Sequence, residues 1–330
     1  MQITTISKLQ SNITKGWAIL AVITIHTMAY FPGLFDRSTY QWLTVGLDQA
    51  ARFCVPAFLI VSGYGLAVKY SDQSVAGGAF VWDRLKKLLP LYLLWSGVAV
   101  LLMKLVPEWV YFNQPRSLVV QLLLGQADYQ MYFVPLLFQL YVFFPMIWRG
   151  RKHLSWWLGF GLLMQLFLFW RFSLSTGTSE RFQYVLGLSW IFYFILGMWL
   201  ARHKLPKIFE GGLPMLIGLV LSYGIVGSIK AINNGLDPLQ ALKFTRVPVL
   251  LYGTLASFAL LYGGKQSGKS WLARKEWLVW LGERSYVIFL AHTMGLRLLY
   301  GLFTGVPSFS MWMVIAGIWG ATVWFSFRLR

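Results

Sequence analysis

The sequence predicts an all-α polytopic membrane protein with about ten transmembrane helices and both termini in the cytoplasm. Of its 330 residues, 57% are hydrophobic and 12% are charged. A soluble domain typically carries about 25% charged residues, so the charged share is half the usual one. Apolar runs of membrane-spanning length recur from residue 16 to the C-terminus, which leaves no stretch for a soluble domain.

Ten apolar segments can be placed along the chain. They cover residues 16–34, 51–68, 88–106, 130–148, 154–171, 188–201, 212–230, 247–263, 277–302 and 309–327. No small-residue cleavage site follows the first segment, so we predict a retained helix and not a removed signal peptide. We expect residues 1–330 to form one transmembrane domain without an appended soluble domain.

The positions of Lys and Arg predict the orientation of these helices. With the N-terminus in the cytoplasm, nineteen of the 29 Lys and Arg residues fall on the inner side. Short cytoplasmic loops collect cations in membrane proteins, and the opposite orientation would invert the ratio. The net charge of +18 therefore follows from topology and does not indicate a nucleic-acid partner. We expect a multi-pass protein of the cytoplasmic (inner) membrane of a prokaryote.

Two histidines are predicted at matched depth in the membrane. Lys15 opens the first segment, and His26 lies about 16 Å further along a helix axis, near the middle of a hydrocarbon layer of about 30 Å. His292 reaches a similar depth on the ninth segment, which runs in the same direction, and Arg52 and Arg297 lie at a similar height. Ionisable groups at this depth usually face a cavity or a partner, so we predict a polar channel. The structural alternative is a neutral histidine bonded to a neighbouring helix.

The second segment adds three candidate substrate contacts. Arg52 lies near its outer end, whereas Ser62 and Tyr64 lie deeper. A fixed cation beside a cavity suits a developing oxyanion or a sugar hydroxyl, although Arg52 can instead snorkel to the surface. The Ser62-Gly63 pair is equally typical of close helix packing.

Four further polar residues are predicted to contact substrate, namely Tyr132, Tyr141, Ser285 and Arg297. Tyr132 and Tyr141 flank Pro135, which is expected to disturb the fourth helix. Tyrosines in such positions more often anchor a helix at the membrane interface. Ser285 precedes His292 on the ninth segment.

Lys69, Arg84, Lys86 and Lys87 form a cationic group on the predicted inner face, three of them in a loop from Arg84 to Tyr92. Lys and Arg are the usual partners of phosphates, so these residues are candidates for binding a polyanionic cytoplasmic ligand. Enforcement of topology explains them equally well.

Two other features carry no chemistry. Gly263–Ser270 fits the pattern G-x-x-x-x-G-K-S, but that pattern binds phosphate only between a strand and a helix, and an apolar helix precedes it here. The single cysteine, Cys54, excludes an internal disulfide and a cysteine-cluster metal site. The histidines have no carboxylate or thiolate companions at ligand spacing, so no metal is expected.

Nearly the whole chain resembles acyltransferase family 3, membrane proteins that O-acylate cell-envelope glycans. The resemblance rests on Lys15 to His26, Val55-Pro56 through Ser62-Gly63-Tyr64, Arg84 to Tyr92, Tyr132 to Pro145, and Ser285-Tyr286 to His292. One position departs, because the family usually has arginine where this chain has Lys15. Lysine keeps the charge but lacks the bidentate fork, which weakens a grip on phosphate or carboxylate.

The resemblance implies an acetyl-CoA-dependent O-acyltransferase with acyl-CoA bound on the cytoplasmic side and a glycan or lipid-linked sugar acceptor outside. His26 is expected to act as general base on a sugar hydroxyl, with Lys15 and His292 as further catalytic residues. A covalent acyl-histidine relay is a second variant. The alternatives are a proton-coupled transporter or glycan-lipid flippase, in which the histidines relay protons, and a scaffolding subunit. The acceptor sugar, the acyl chain and the oligomeric state are not indicated.

Overall fold

The structure is a computed structural model that describes residues 8–31, 35, 39–71, 73–105, 117–172, 182–203, 209–262, 276–304 and 311–328. Among these residues the backbone forms helices and connecting turns, and no β-strand occurs. The all-helical prediction is therefore confirmed. Five of the helices are long and apolar enough to cross a membrane, and several apolar helices are shorter. The segment Gly263–Ser270 lies outside the described residues.

Thirteen α-helices of the described chain are used below. In the N-terminal half they are α1 (Lys8–Ala29), α2 (Gln41–Ala51), α3 (Cys54–Tyr70), α4 (Gly77–Leu105), α5 (Leu118–Leu123), α6 (Phe133–Arg149) and α7 (Leu154–Arg171). They continue as α8 (Ile191–Arg202), α9 (Phe209–Asn233), α10 (Pro238–Ala241), α11 (Val247–Tyr262), α12 (Glu276–Thr304) and α13 (Met311–Arg328). Short 3₁₀ turns precede α7 and α8 at Arg151–His153 and Gly187–Trp190.

Within the described residues, each of the ten predicted apolar segments overlaps with a helix, but several helices begin earlier than expected. The first begins at Lys8 and not at residue 16, which places Lys15 inside α1. Helix α2 was not predicted. It is separated from α3 because Pro56 has no N–H to donate to a carbonyl four residues earlier, where the break lies.

The predicted inner loop from Arg84 to Tyr92 is wrong, because these residues lie within α4. Lys, Arg and Leu are strong helix formers, so a run rich in cations continues the helix. The expectation that Pro135 disturbs the fourth helix is also wrong. Pro135 lies in the first turn of α6, where a missing N–H costs no helical hydrogen bond.

The chain divides into two compact units, and each is described by itself. In the first, residues 62–203, aromatic side chains of several helices pack around Phe80 and Phe144, whose ring centroids are 5.0 Å apart. Gly63 lies so close to the carbonyl oxygen of Phe194 that any Cβ there would overlap with it. The Ser62-Gly63 pair therefore serves close helix packing, as one of the two interpretations predicted.

The second unit, residues 5–61 and 204–330, contains the parallel pair of α1 and α12. A Cβ on Gly16 would overlap with the carbonyl oxygen of Leu278, and one on Gly282 would overlap with that of Asn12. The two helices therefore touch backbone to backbone at their N-terminal ends.

Gly282→Ala is expected to destabilise the second unit, because the added methyl group meets the α1 backbone. Overpacking of this kind costs about 1–3 kcal/mol. The matched control is Gly301→Ala on the same helix, where no atom lies within 4 Å of the added Cβ. Thermal unfolding in detergent should show a lower midpoint for the first variant only. Equal midpoints for Gly282→Ala and the unsubstituted protein would contradict the close contact.

Candidate functional site

The α1–α12 pair brings His26 and His292 into direct contact. Nδ1 of His26 lies 2.6 Å from Nε2 of His292. The ring planes are within 8° of parallel, and the ring centroids are 4.9 Å apart. The nitrogen contact is much shorter than the centroid distance, so the rings meet edge to edge in the direction of an N–H···N hydrogen bond. The predicted matched depth of the two histidines corresponds to this bond.

The partners of His292 assign the protons of both rings. Its Nδ1 lies 2.8 Å from the carbonyl oxygen of Phe289 and 3.1 Å from that of Ile288. A carbonyl oxygen only accepts, so Nδ1 of His292 carries hydrogen, and in the neutral ring Nε2 carries the lone pair. Nδ1 of His26 therefore donates to His292. The lone pair of neutral His26 is consequently on its Nε2.

The two histidines differ in exposure. His292 is 1% exposed, whereas His26 is only partly buried. Aromatic contacts of the same two helices bracket the pair, with Trp17 against Trp277 towards one end and Tyr30 against Tyr300 towards the other. This geometry suits His26 for contact with a ligand and His292 for holding the His26 ring in place.

Arg52 is held by an ion pair with Asp48 that was not predicted. Its Nε and Nη2 donate to the two carboxylate oxygens of Asp48 at 2.9 and 2.7 Å. The guanidinium also lies over the ring of Phe244, 4.4 Å from its centroid. Arg52 is close enough for its charge to act on His26. The i,i+4 spacing of Asp48 and Arg52 was the available signal for this pair.

Lys15 lies on α1 well away from the histidine pair. Eleven residues separate it from His26, which is about 16 Å along the helix axis. Glu283 of α12 acts electrostatically on Lys15, and its carboxylate accepts a hydrogen bond of 3.1 Å from Asn12. Lys15 therefore belongs to the polar N-terminal end of the helix pair.

Ser285 and Arg297 both lie on α12 with His292. The Ser285 hydroxyl donates to the carbonyl oxygen of Gly282 at 2.9 Å, so one of its hydrogen-bonding groups is satisfied within its own helix. Arg297 is 4% exposed and lies five residues beyond His292. A buried arginine in an apolar helix requires polar surroundings.

The remaining predicted substrate residues belong to the first unit. The hydroxyls of Ser62 and Tyr141 are 3.1 Å apart. Tyr64 is buried, and Tyr132 packs against Tyr184 with ring centroids 5.6 Å apart.

Four predicted ligand-binding cations also lie in the first unit, and Arg84 joins the Ser62–Tyr141 pair. Its guanidinium carbon lies 5.4 Å from the centroid of the Tyr141 ring and 5.2 Å from that of Phe80. Lys69, Lys86 and Lys87 are exposed. Among the described residues, no three His, Cys, Asp or Glu side chains group in a way that could hold a metal ion.

Comparison with known proteins places the whole chain in one family. No curated protein and no solved structure matches it. The family described as an acyltransferase domain matches residues 9–329, which include the helices of both units and every candidate site residue. The chain belongs to acyltransferase family 3.

Proposed function

We propose that the protein is a membrane O-acyltransferase that moves an acyl group from cytoplasmic acyl-CoA to a hydroxyl of an envelope or exported glycan. The observation that carries this proposal is the hydrogen bond between His26 and His292. It leaves the lone pair of His26 on Nε2, the nitrogen opposite the anchored edge of the ring. A partly exposed imidazole held in one tautomer has the form of a general base.

In the proposed step, Nε2 of His26 takes the proton of a sugar hydroxyl. The sugar oxygen attacks the thioester carbonyl carbon, a C–O bond forms and the C–S bond breaks. The CoA sulfur leaves as a thiolate and recovers the proton from the His26 imidazolium, so that the products are the O-acyl sugar and free CoA. Direct transfer needs no acyl-histidine intermediate.

His292 acts as a positioning residue in this step. Its Nε2 accepts the Nδ1 hydrogen of His26 throughout, which keeps the ring oriented and helps to stabilise the imidazolium. Arg52 adds a positive charge whose position is fixed by Asp48. We propose that this charge faces the substrate side, where negative charge develops on the carbonyl oxygen.

The cations of the first unit are proposed to bind the donor. CoA carries several phosphates, and Arg84, Lys69, Lys86 and Lys87 combine a partly buried guanidinium with exposed ammonium groups. Acetyl-CoA is the proposed donor. This division requires the cation-rich side to be cytoplasmic, so we also propose ten membrane spans, both termini inside, and the inner membrane of a prokaryote as location.

The substitution His26→Ala tests the proposed general base. Inverted membrane vesicles, which expose the cytoplasmic face, are supplied with radiolabelled acetyl-CoA, and the label in the glycan fraction is counted. Native protein should transfer label to the glycan. The folded His26→Ala variant should transfer it at least about 100-fold more slowly, which is the scale of general-base catalysis. The matched control is His153→Ala, an exposed histidine in the 3₁₀ turn before α7, which should retain activity.

Three outcomes would count against the proposal. Full transfer by His26→Ala would remove His26 from the chemistry. Transfer in right-side-out vesicles alone would reverse the proposed orientation. Glycan movement across the membrane that depends on His26, without label in any product, would favour the transporter.

Two substitutions of His292 separate a positioning role from a merely structural one. His292→Gln keeps an oxygen that can accept from Nδ1 of His26, whereas His292→Phe fills the space without an acceptor. We expect kcat to fall at least about 100-fold in the Phe variant and less in the Gln variant. The KM for acetyl-CoA should change little in both. Equal losses of kcat in the two folded variants would show that the acceptor does not matter.

A further inference from the structure

A groove of about 610 Å³ runs between α9 and α11 on the second unit. The two helices are antiparallel, since Gly224 lies against Pro248 while Gly227 lies against Arg246. From Leu219 to Lys230 the groove follows α9 for about 16 Å. Its volume lies in the range of a ligand site.

One end of the groove is cationic. Arg246 immediately precedes α11, and its Nη1 donates to the Ser228 hydroxyl and to the carbonyl oxygen of Ala241. Gly227 lies beneath Nη2, which would be 3.4 Å from a Cβ at that position. The guanidinium is therefore held in a fixed place, and the exposed Lys230 lies at the same end.

No carboxylate pairs with this guanidinium among the described residues. Its two hydrogen bonds to described residues both use Nη1, so Nη2 and Nε keep donors that a ligand could use. The first residues of α11, Val247 and Pro248, also line the groove, so the helix N-terminus adds partial positive charge at this end. A half-buried, anchored arginine with this surplus of donors has the chemistry of an anion site.

The remainder of the groove is largely apolar, and its side chains are exposed on the surface of the second unit. Leu219 is 58% exposed, Leu251 47% and Tyr223 72%. Helix α9 is one of the five candidate membrane spans and α11 is one of the shorter apolar helices, so we expect these exposed side chains to face lipid. The groove thus combines a cationic end with an apolar length of helix surface. This pattern is complementary to an amphiphile with an anionic head and an apolar chain.

We propose that this groove binds a membrane lipid with a phosphate headgroup. The phosphate accepts hydrogen bonds from Nη2 and Nε of Arg246 and from Lys230, while an acyl chain lies along Leu219 and Leu251. The site is independent of the proposed acyl transfer, because it uses none of the residues assigned to that reaction.

The test measures lipid retained by the purified full-length protein in neutral detergent, by native mass spectrometry. Phosphatidylglycerol is compared with diacylglycerol of the same chains and with free glycerol 3-phosphate. The native protein should retain phosphatidylglycerol alone. A cation beside an anionic lipid is worth about 1 kcal/mol, so the double variant Arg246→Gln/Lys230→Gln should bind about 30-fold more weakly.

The matched control is Arg171→Gln, an exposed arginine at the end of α7, which should bind like the native protein. Arg246→Lys should retain part of the binding because the charge remains. Lys230→Gln alone, at an exposed position, tests the site if loss of Arg246 prevents folding. The proposal is overturned by equal loss in Arg171→Gln, by equal retention of diacylglycerol, or by full competition from glycerol 3-phosphate.

Discussion

The candidate site depends on the close backbone contact between α1 and α12. Gly16 and Gly282 each meet a carbonyl oxygen of the opposite helix, and no larger residue fits at either position. From this contact the two parallel helices continue side by side to His26 and His292, whose nitrogens are 2.6 Å apart. Hydrocarbon offers no hydrophobic force between helices, so packing at small residues and interhelical hydrogen bonds must supply the association. The same contact therefore supports both the helix pair and the orientation of its imidazoles.

The donor and acceptor roles in the histidine pair are set by backbone carbonyl groups of α12. The carbonyl oxygens of Ile288 and Phe289 accept from His292, which then accepts from His26. In an apolar environment an unpaired polar group is costly, so each hydrogen bond in this series favours the next one. A positioned base requires this kind of support, because a freely rotating imidazole would present either nitrogen to a substrate. The structural alternative for His26 was a neutral histidine bonded to a neighbouring helix. That alternative and the catalytic interpretation thus describe the same contact.

Periodicity and hydropathy were sufficient to predict the apolar helices, five of them long enough to cross a membrane, and the matched height of the two histidines. They missed α2 and the true start of α4, because an amphipathic or cation-rich run lacks the apolar signal of a span while still having high helix propensity. The ion pair of Arg52 with Asp48 was visible as an i,i+4 spacing, yet a choice between a substrate contact and a structural pair requires coordinates. The tautomer of His26 could not be predicted, because it depends on backbone carbonyls of a helix 266 positions away in sequence.

The most direct measurement of the central claim is the protonation of each ring nitrogen of His26. The protein has four histidines, so ¹⁵N labelling of histidine in a membrane sample yields few signals, and single replacements assign them. Protonated and unprotonated imidazole nitrogens have well-separated ¹⁵N shifts. In the neutral resting state, the proposed arrangement predicts a protonated Nδ1 and an unprotonated Nε2 for His26, with the same pattern for His292. A hydrogen on Nε2 of His26 and none on its Nδ1 would contradict the arrangement, because the base would then be turned towards His292.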